Sequence, residues 1–278
     1  VLVASVHVYP VKSGRGVAVD GSVVERAGLR HDRRWMVVGP DGVKMTARRN
    51  PKLLGLGAVP GETGALTLSA AGLEDLVVPV PPLPPGGPDI EVGISRLTRA
   101  VSAGAAAADW VSSLLGAPAR LVWLDDPGRR SVAPEKGGRP GDTLSFADAG
   151  PLLLTTESSL RALQSWIGHS ADGGLLGMTR FRPNVVVSGD LEPFVEDTWT
   201  VVRIGGLDYR FSEHCDRCVM TTYDPDTGVR GHEPLRTLAK HRRHDGKVWF
   251  GIRLIPLAEG RIAVGDRVDI LDAGGRLS

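Results

Sequence analysis

The chain has only two cysteines among 278 residues, Cys215 and Cys218, placed three positions apart. A disulfide scaffold needs cysteines spread along the chain, so this pair fits a reducing compartment better. Neither sign of charge is in excess: 33 Lys and Arg against 32 Asp and Glu give a formal net charge of +1. A nucleic-acid binder would show a strong basic stripe, and none is present. No apolar run approaches the length of a bilayer span, and no charged, apolar and small-residue leader opens the chain. The expectation is therefore a cytoplasmic protein without a membrane span, although Val1 suggests a processed or trimmed start. An iron–sulfur module would need further cysteines. No Gly-x-Gly-x-x-Gly follows a strand to mark a flavin or nicotinamide fold. No segment repeats at a fixed period.

What the chain does have is turns, with 36 glycines and 20 prolines, as many short strands require. Residues 1–11 alternate Leu2, Ala4, Val6 and Val8 against more polar neighbours, the period of a half-buried strand. Residues 35–38 and 43–46 flank Gly39-Pro40-Asp41-Gly42 and read as a hairpin. A second hairpin is expected over 66–80, reversing near Ala71-Gly72, and the proline-rich stretch 81–88 as an exposed loop. A helix is predicted over 105–115, with Trp110 in the core and Gly116 as its stop. Residues 125–142, rich in Pro, Gly, Arg and Asp, read as the longest loop and a linker, a solvated connector ahead of the alternative of a lid or binding loop.

Thr155 or Thr156 can cap a second helix running to Trp166 and ended by Gly168. Beyond it come a strand over 184–187, a hairpin over 201–211 across Gly205-Gly206, a short helix from Glu233-Pro234, and two last strands over 248–257 and 261–271. The expected fold is α+β and mainly β, with few short helices on barrel-like sheets. The expected division is an N-terminal domain over 1–120, a linker over 121–143 and a second domain over 144–278.

A Cys-x-x-Cys admits several chemistries. A structural zinc site wants four ligands; His214, His232, His241 and His244 are available, but their spacing and an intervening Pro/Asp/Gly turn work against a Cys2His2 set. A thioredoxin-like dithiol needs the motif to open a helix, whereas Thr221-Thr222-Tyr223-Asp224-Pro225-Asp226-Thr227-Gly228 reads as a turn. A single thiolate completing the coordination of a cofactor-bound metal remains, beside the plain alternative of a packed, inert pair.

The run Cys215-Asp216-Arg217-Cys218 followed by Thr221-Thr222-Tyr223-Asp224-Pro225-Asp226-Thr227-Gly228 resembles the MOSC proteins. Phe181-Arg182-Pro183-Asn184 and Tyr9-Pro10-Val11-Lys12-Ser13 extend the likeness. Asp32-Arg33-Arg34-Trp35 with Thr46-Ala47-Arg48 is similar to the N-terminal β-barrel domain that precedes MOSC in the branch of amidoxime-reducing proteins. Four motifs in register are a specific signal. The resemblance implies an N-terminal β-barrel-like domain packed on a MOSC barrel, and a molybdenum cofactor, a pterin whose dithiolene holds the metal and which carries a phosphate. It also brings an association with pyridoxal phosphate.

By the same resemblance Cys218, just before the hydrophobic-Thr-Thr run, is the metal ligand and catalytic residue, with Cys215 packed nearby. The cofactor-binding positions it implies are Lys12, Ser13, Arg33, Gly150, Arg182, Asn184, Asp216, Arg217, Cys218 and Arg253. A guanidinium suits phosphate because its planar fork makes two parallel bonds. Arg48 follows a hairpin strand and is expected to pair with an acid. Gly14 stands where the family often has cysteine.

The implied activity is reduction of small N-hydroxylated compounds. Electrons would come from a separate electron-transfer protein and reductase, because the chain holds no second redox motif. His214, Asp224 and Asp226 are near in sequence as proton donors, with turn roles equally open for the aspartates. Two other readings stand beside it: a sulfur or cofactor carrier using a persulfide on Cys218, and a biosynthetic enzyme transferring oxygen or sulfur at the same site.

Overall fold

A computed structural model describes residues 1–168 and 175–274. Its largest element is a nine-stranded sheet. Across it run Val268–Ala273, Trp199–Ile204, Leu207–Asp216, Lys247–Pro256, Leu152–Thr156, Val185–Ser188, Leu2–Val8 and Val17–Val19, with Arg243–His244 pairing beside Lys247–Pro256. Leu152–Thr156 is buried along its whole length, as a central strand covered on both faces must be. It pairs in parallel with Val185–Ser188, and helix α2 (Glu157–Ile167) lies in the crossover between them.

The first strand forms where its alternation predicts, but with a different inward face. A register shift between Val3 and Ser5 leaves Val3, Val6 and Val8 buried and Leu2 49% exposed. A bulge adds one residue to one strand and so switches which side chains point inward. Val3, Val6 and Val8 pack with Leu152, Leu154, Val185, Ile252 and Leu254 in one core. The start of the chain is thus built into the sheet of the second half. Gly21–Glu25 repeats the pattern by pairing with Gly260–Ala263.

The rest of the first half is built on two smaller sheets. One orders Trp35–Val38, Arg120–Trp123, Leu97–Ser102 and Ile90–Ile94; the other orders Gly57–Pro60, Leu66–Ala70 and Leu73–Val78. Helix α1 (Ala105–Leu115) buries Ala107, Trp110 and Val111 against Trp35 and Leu121. It stops at Gly116, which takes the left-handed φ of 72° that glycine adopts without penalty.

Three expectations need correction. The turn at 39–42 forms, with Met45 N donating to Val37 O at 2.9 Å, yet 43–46 is no strand and meets Val38 by a single bridge. Trp35–Val38 takes its main partner from Arg120–Trp123, a pairing no local turn announces. The final stretch is two strands, because Gly265 at φ 88° reverses the chain and Asp266 Oδ2 accepts from Ala263 N at 2.7 Å. The third concerns residues 125–142, which are clasped rather than solvated. Arg130, 2% exposed, donates to Ser95 O and Ala147 O, while Arg210 donates to Gly137 O at 2.8 Å.

Helix α2 is capped by Thr156, whose Oγ1 accepts from Ser159 N at 3.2 Å. The buried Glu196 carboxylate accepts from Ser159 Oγ at 2.7 Å and Thr156 Oγ1 at 3.1 Å. Burial pushes the Glu196 pKa up to about 7, and Asp197 adds to the shift while Ser159 opposes it. Between about pH 4.5 and 7 the native state therefore holds a proton that the unfolded chain releases, so this group makes stability fall as pH rises. The effect approaches about 3 kcal/mol above pH 7. Thermal melts of Glu196→Gln and the parent should converge below about pH 4.5, diverge in slope between about pH 4.5 and 7, and keep a constant offset above it; curves that stay parallel through the window would contradict the assignment.

Candidate functional site

A cavity of about 780 Å³ opens where the two halves meet. All ten residues singled out in the sequence line it. Its wall carries nine lysine and arginine side chains and two aspartates, Asp148 and Asp216. That imbalance gives the cavity a positive field that favours anions.

The N-terminal segment supplies Lys12, Ser13 and Arg33. Lys12 N donates to Trp35 O at 2.7 Å, which fixes the side chain so that Nζ reaches Phe146 O at 2.8 Å and Asp148 Oδ1 at 2.5 Å. Burial pushes the Lys12 pKa down while Asp148 opposes the shift. In return Lys12 holds the Asp148 carboxyl well below the usual range. Ser13, Arg33 and Arg182 all have left-handed backbones, with φ of 68°, 50° and 55°. Non-glycine residues there cost on the order of 1 kcal/mol or more, so three strained residues meet around one cavity.

Tyr9, missed in the sequence although it opens the Tyr-Pro-Val-Lys-Ser motif, organises the arginines. The Arg33 guanidinium lies 4.5 Å and the Arg182 guanidinium 4.3 Å from its ring centre. Arg33 is also bound to Asp32 Oδ2 at 2.5 Å and Asn184 Oδ1 at 3.1 Å. Asn184 uses the same oxygen for Leu153 N and donates from Nδ2 to His7 O. Its amide ties strands together and steers Arg33.

Arg182 and Arg217 are different. Arg182 Nη1 donates to Gly14 O at 2.6 Å, and its Nη2 is buried without a partner. Burial, with Arg33 beside it, lowers its pKa to about 10. Arg217 donates to Cys215 Sγ and to Phe181 O, both at 2.7 Å, and its Nε is buried without a partner. Neither makes an ion pair among the described residues. Unpaired donors of this kind point to a ligand that completes them.

Arg253 and Lys136 share the Glu213 carboxylate, so the clasped segment 125–142 reaches the site through Lys136. A methyl at Gly150 would lie 2.9 Å from Arg253 Cβ, which explains why the backbone there is bare. At Gly14 a side chain would crowd Leu56 O and Val11 Cβ at 3.2 Å, consistent with glycine in place of cysteine. Asp216 ends the Leu207–Asp216 strand with its side chain open to the cavity.

The two thiols are held differently. Cys215 is 3% exposed and engaged by Arg217. Cys218 is half-buried and caps the short turn Val219–Thr222. Thr221 Oγ1 donates to Cys218 O at 3.1 Å and Thr222 Oγ1 to Val219 O at 2.7 Å. Those threonines lock the turn and present a thiol with no hydrogen bond among the described residues. No group of three or more His, Cys, Asp or Glu side chains is placed to hold a metal among the described residues, so the zinc set is not formed.

The remaining candidates are otherwise employed. His214 Nε2 lies 3.0 Å from Asp197 O. Asp224 accepts from Asp226 N and Thr227 N and pairs with Arg180, a turn role. Arg48 lines the cavity without an acidic partner among the described residues, against expectation. Lys44, Arg49, Lys136 and Asp148 join the wall without having been read from the sequence.

The MOSC domain model matches residues 141–269 and the MOSC N-terminal beta barrel domain model residues 1–118. The mouse "Mitochondrial amidoxime-reducing component 1" is 36% identical over 286 residues, covering 97% of this chain and 82% of that protein. The human protein of the same name is 35% identical over 287 residues, with the same coverage. The "Molybdenum cofactor sulfurase" of Danio rerio is 31% identical over 263 residues, covering 90% of this chain and 31% of that longer protein. None of these names concerns pyridoxal phosphate, and the buried lysine of the cavity is bound by Asp148; that expectation is dropped. Nor do they support a cytoplasmic location. No helix among the described residues is long and apolar enough to cross a membrane.

Proposed function

Since the chain belongs to the MOSC family, with that family's N-terminal barrel domain ahead of the MOSC domain, we propose that it is a molybdenum-dependent reductase of N-hydroxylated compounds. The observation that carries the reading is an unengaged Cys218 thiol in a cation-rich cavity where guanidinium nitrogens of Arg182 and Arg217 lie buried without protein partners. These residues fit a molybdenum cofactor by chemistry: a soft thiolate for the metal and planar donors for a phosphate.

Cys218 would hold the metal. Arg182 and Arg217 would take the phosphate and pterin edge, with Lys12, Ser13, Arg33 and Arg253 around them. When bound, the cofactor supplies the two electrons that, with two protons, convert N–OH into N–H and water. The protein's share is position and protons. The Thr221 and Thr222 bonds hold the thiol in place, and Phe181 and Leu153 give the wall apolar surface that sheds water. Asp148 is kept ionised by Lys12, and Asp216 is the second aspartate of the cavity wall.

The sulfurase relative favours a second reading, with Cys218 carrying a persulfide. Metal and pterin analysis of protein from a molybdenum-replete host separates the two. One molybdenum and one pterin per chain supports the reductase; a metal-free protein that releases sulfide on mild reduction supports the carrier.

Electron supply gives a further test. Both cysteines of the chain are in one cavity and no dinucleotide fingerprint is present. The purified protein should reduce benzamidoxime with a strong chemical reductant and give no turnover with NADH alone. Sustained NADH turnover free of host reductases would contradict the need for a separate donor, whose docking is expected to be small and transient.

A further inference from the structure

The cavity carries more positive charge than one phosphate consumes, and we propose that Lys44, Arg48 and Arg49 form a second anion site at its mouth, taking an oxyanion substituent of the N-hydroxylated substrate. The proposal rests on the reductase reading above and adds a substrate class to it: N-hydroxylated compounds bearing a carboxylate or phosphate.

The charges of the wall sort into three sets. Lys12 is matched by Asp148 and Arg33 by Asp32, while Arg253 and Lys136 share the one carboxylate of Glu213 and Asp216, without an ion pair among the described residues, offsets part of the remaining charge. Arg182 and Arg217 are the unmatched pair in the depth, enough for one phosphate of charge near −2. Lys44, Arg48 and Arg49 are exposed cavity-lining residues, and none makes a side-chain hydrogen bond or ion pair among the described residues. Three unmatched cations within six positions repel one another, and an anion between them relieves that.

Their location ties them to the chemistry. Met45, between Lys44 and Arg48, packs on the same apolar core as Val219 and Met220, the residues that follow Cys218. The Lys44–Arg49 segment and the Cys218 turn thus share one apolar support and line the same cavity. Lys44 is also close enough for its charge to depress the pKa of Lys12 at the cavity floor, behind the larger effect of burial. Isolated bridges from Val43 to Gly93 and from Lys44 to Val38 hold the start of this segment, and Lys44, Arg48 and Arg49 stay exposed along the cavity.

The test uses cofactor-loaded protein and two product analogues, benzamidine and 4-carboxybenzamidine, with binding measured calorimetrically at low salt. The carboxylate form should bind at least about tenfold tighter, equivalent to about 1.4 kcal/mol, and the ratio should shrink as salt rises. In Arg48→Gln/Arg49→Gln it should fall to within about twofold of unity. The same ratio should govern kcat/KM for 4-carboxybenzamidoxime over benzamidoxime. No preference in the parent, or an undiminished preference in the double variant, overturns the proposal. So does a variant that keeps the substrate ratio but needs more electron carrier for half-maximal rate, since the cations would then dock an acidic protein. Because binding is read without turnover, a protein that prefers the carboxylate yet reduces neither amidoxime refutes the reductase reading and leaves the anion site standing.

Discussion

Cys218→Ser should abolish amidoxime reduction and empty the protein of molybdenum, while leaving the fold intact. The turn that carries the thiol is held by backbone and threonine bonds that do not involve sulfur, so serine fits the same place. A hydroxyl is a poor ligand for a metal that prefers thiolate. The loss should exceed the roughly 10–100-fold typical of changes behind the ligands. Cys215→Ser is the control with a different mechanism. Its sulfur accepts from Arg217 Nη1, and a serine oxygen can accept the same bond, so at least about a tenth of the activity should survive. Molybdenum and pterin per chain, rates with a chemical reductant, and thermal melts on both variants decide the matter. An active Cys218→Ser beside a dead Cys215→Ser would reverse the assignment.

The contrast between the thiols shows what was legible in the sequence. The motif named both cysteines and the threonines behind them, and the structure adds the reason: a capped turn on one side, a strand end under an arginine on the other. All ten candidate positions line one cavity: four separated motifs bring eight of them there, and Gly150 and Arg253 join from outside those motifs. Asn184 and Gly150 were read as ligand contacts, yet their visible work is internal: Asn184 bonds Arg33, Leu153 and His7, and Gly150 makes room for Arg253. A motif records that a residue type is needed, not whether its partner is a ligand or a neighbouring side chain. Tyr9 was legible as part of a motif but not as the ring between two guanidiniums, since that needs Arg33 and Arg182 brought together from distant segments.

The fold followed a similar division. Elements whose signal is local were readable: α1 with its Gly116 stop, the Thr156 cap of α2, and the Gly205-Gly206 hairpin. Pairings set by distant contacts were not. Arg120–Trp123 reaches back to Trp35–Val38, and Gly260–Ala263 to Gly21–Glu25. Nothing in a sequence window distinguishes a strand that pairs with its neighbour from one that waits for the far end of the chain.

That same long-range pairing governs the largest stability effect. A fragment lacking residues 1–118 should fail to fold, although it retains the whole segment matched by the MOSC domain model. The deletion removes Leu2–Val8, whose bonds cover one edge of Val185–Ser188, and Gly21–Glu25, the partner of Gly260–Ala263. With them go Val3, Val6, Val8, Val24 and Leu29 from the main core. At about 1.5–3 kcal/mol for each buried side chain, five losses reach the order of 10 kcal/mol, comparable to the total stability of an ordinary domain. The fragment should show no cooperative thermal transition and should bind a hydrophobic dye, while the full chain should melt in one transition because strands of the first half complete the second half's core. A soluble fragment with a sharp melt, or a full chain that melts in two separate steps, would show that the N-terminal strands are an accessory edge rather than part of the second half's core.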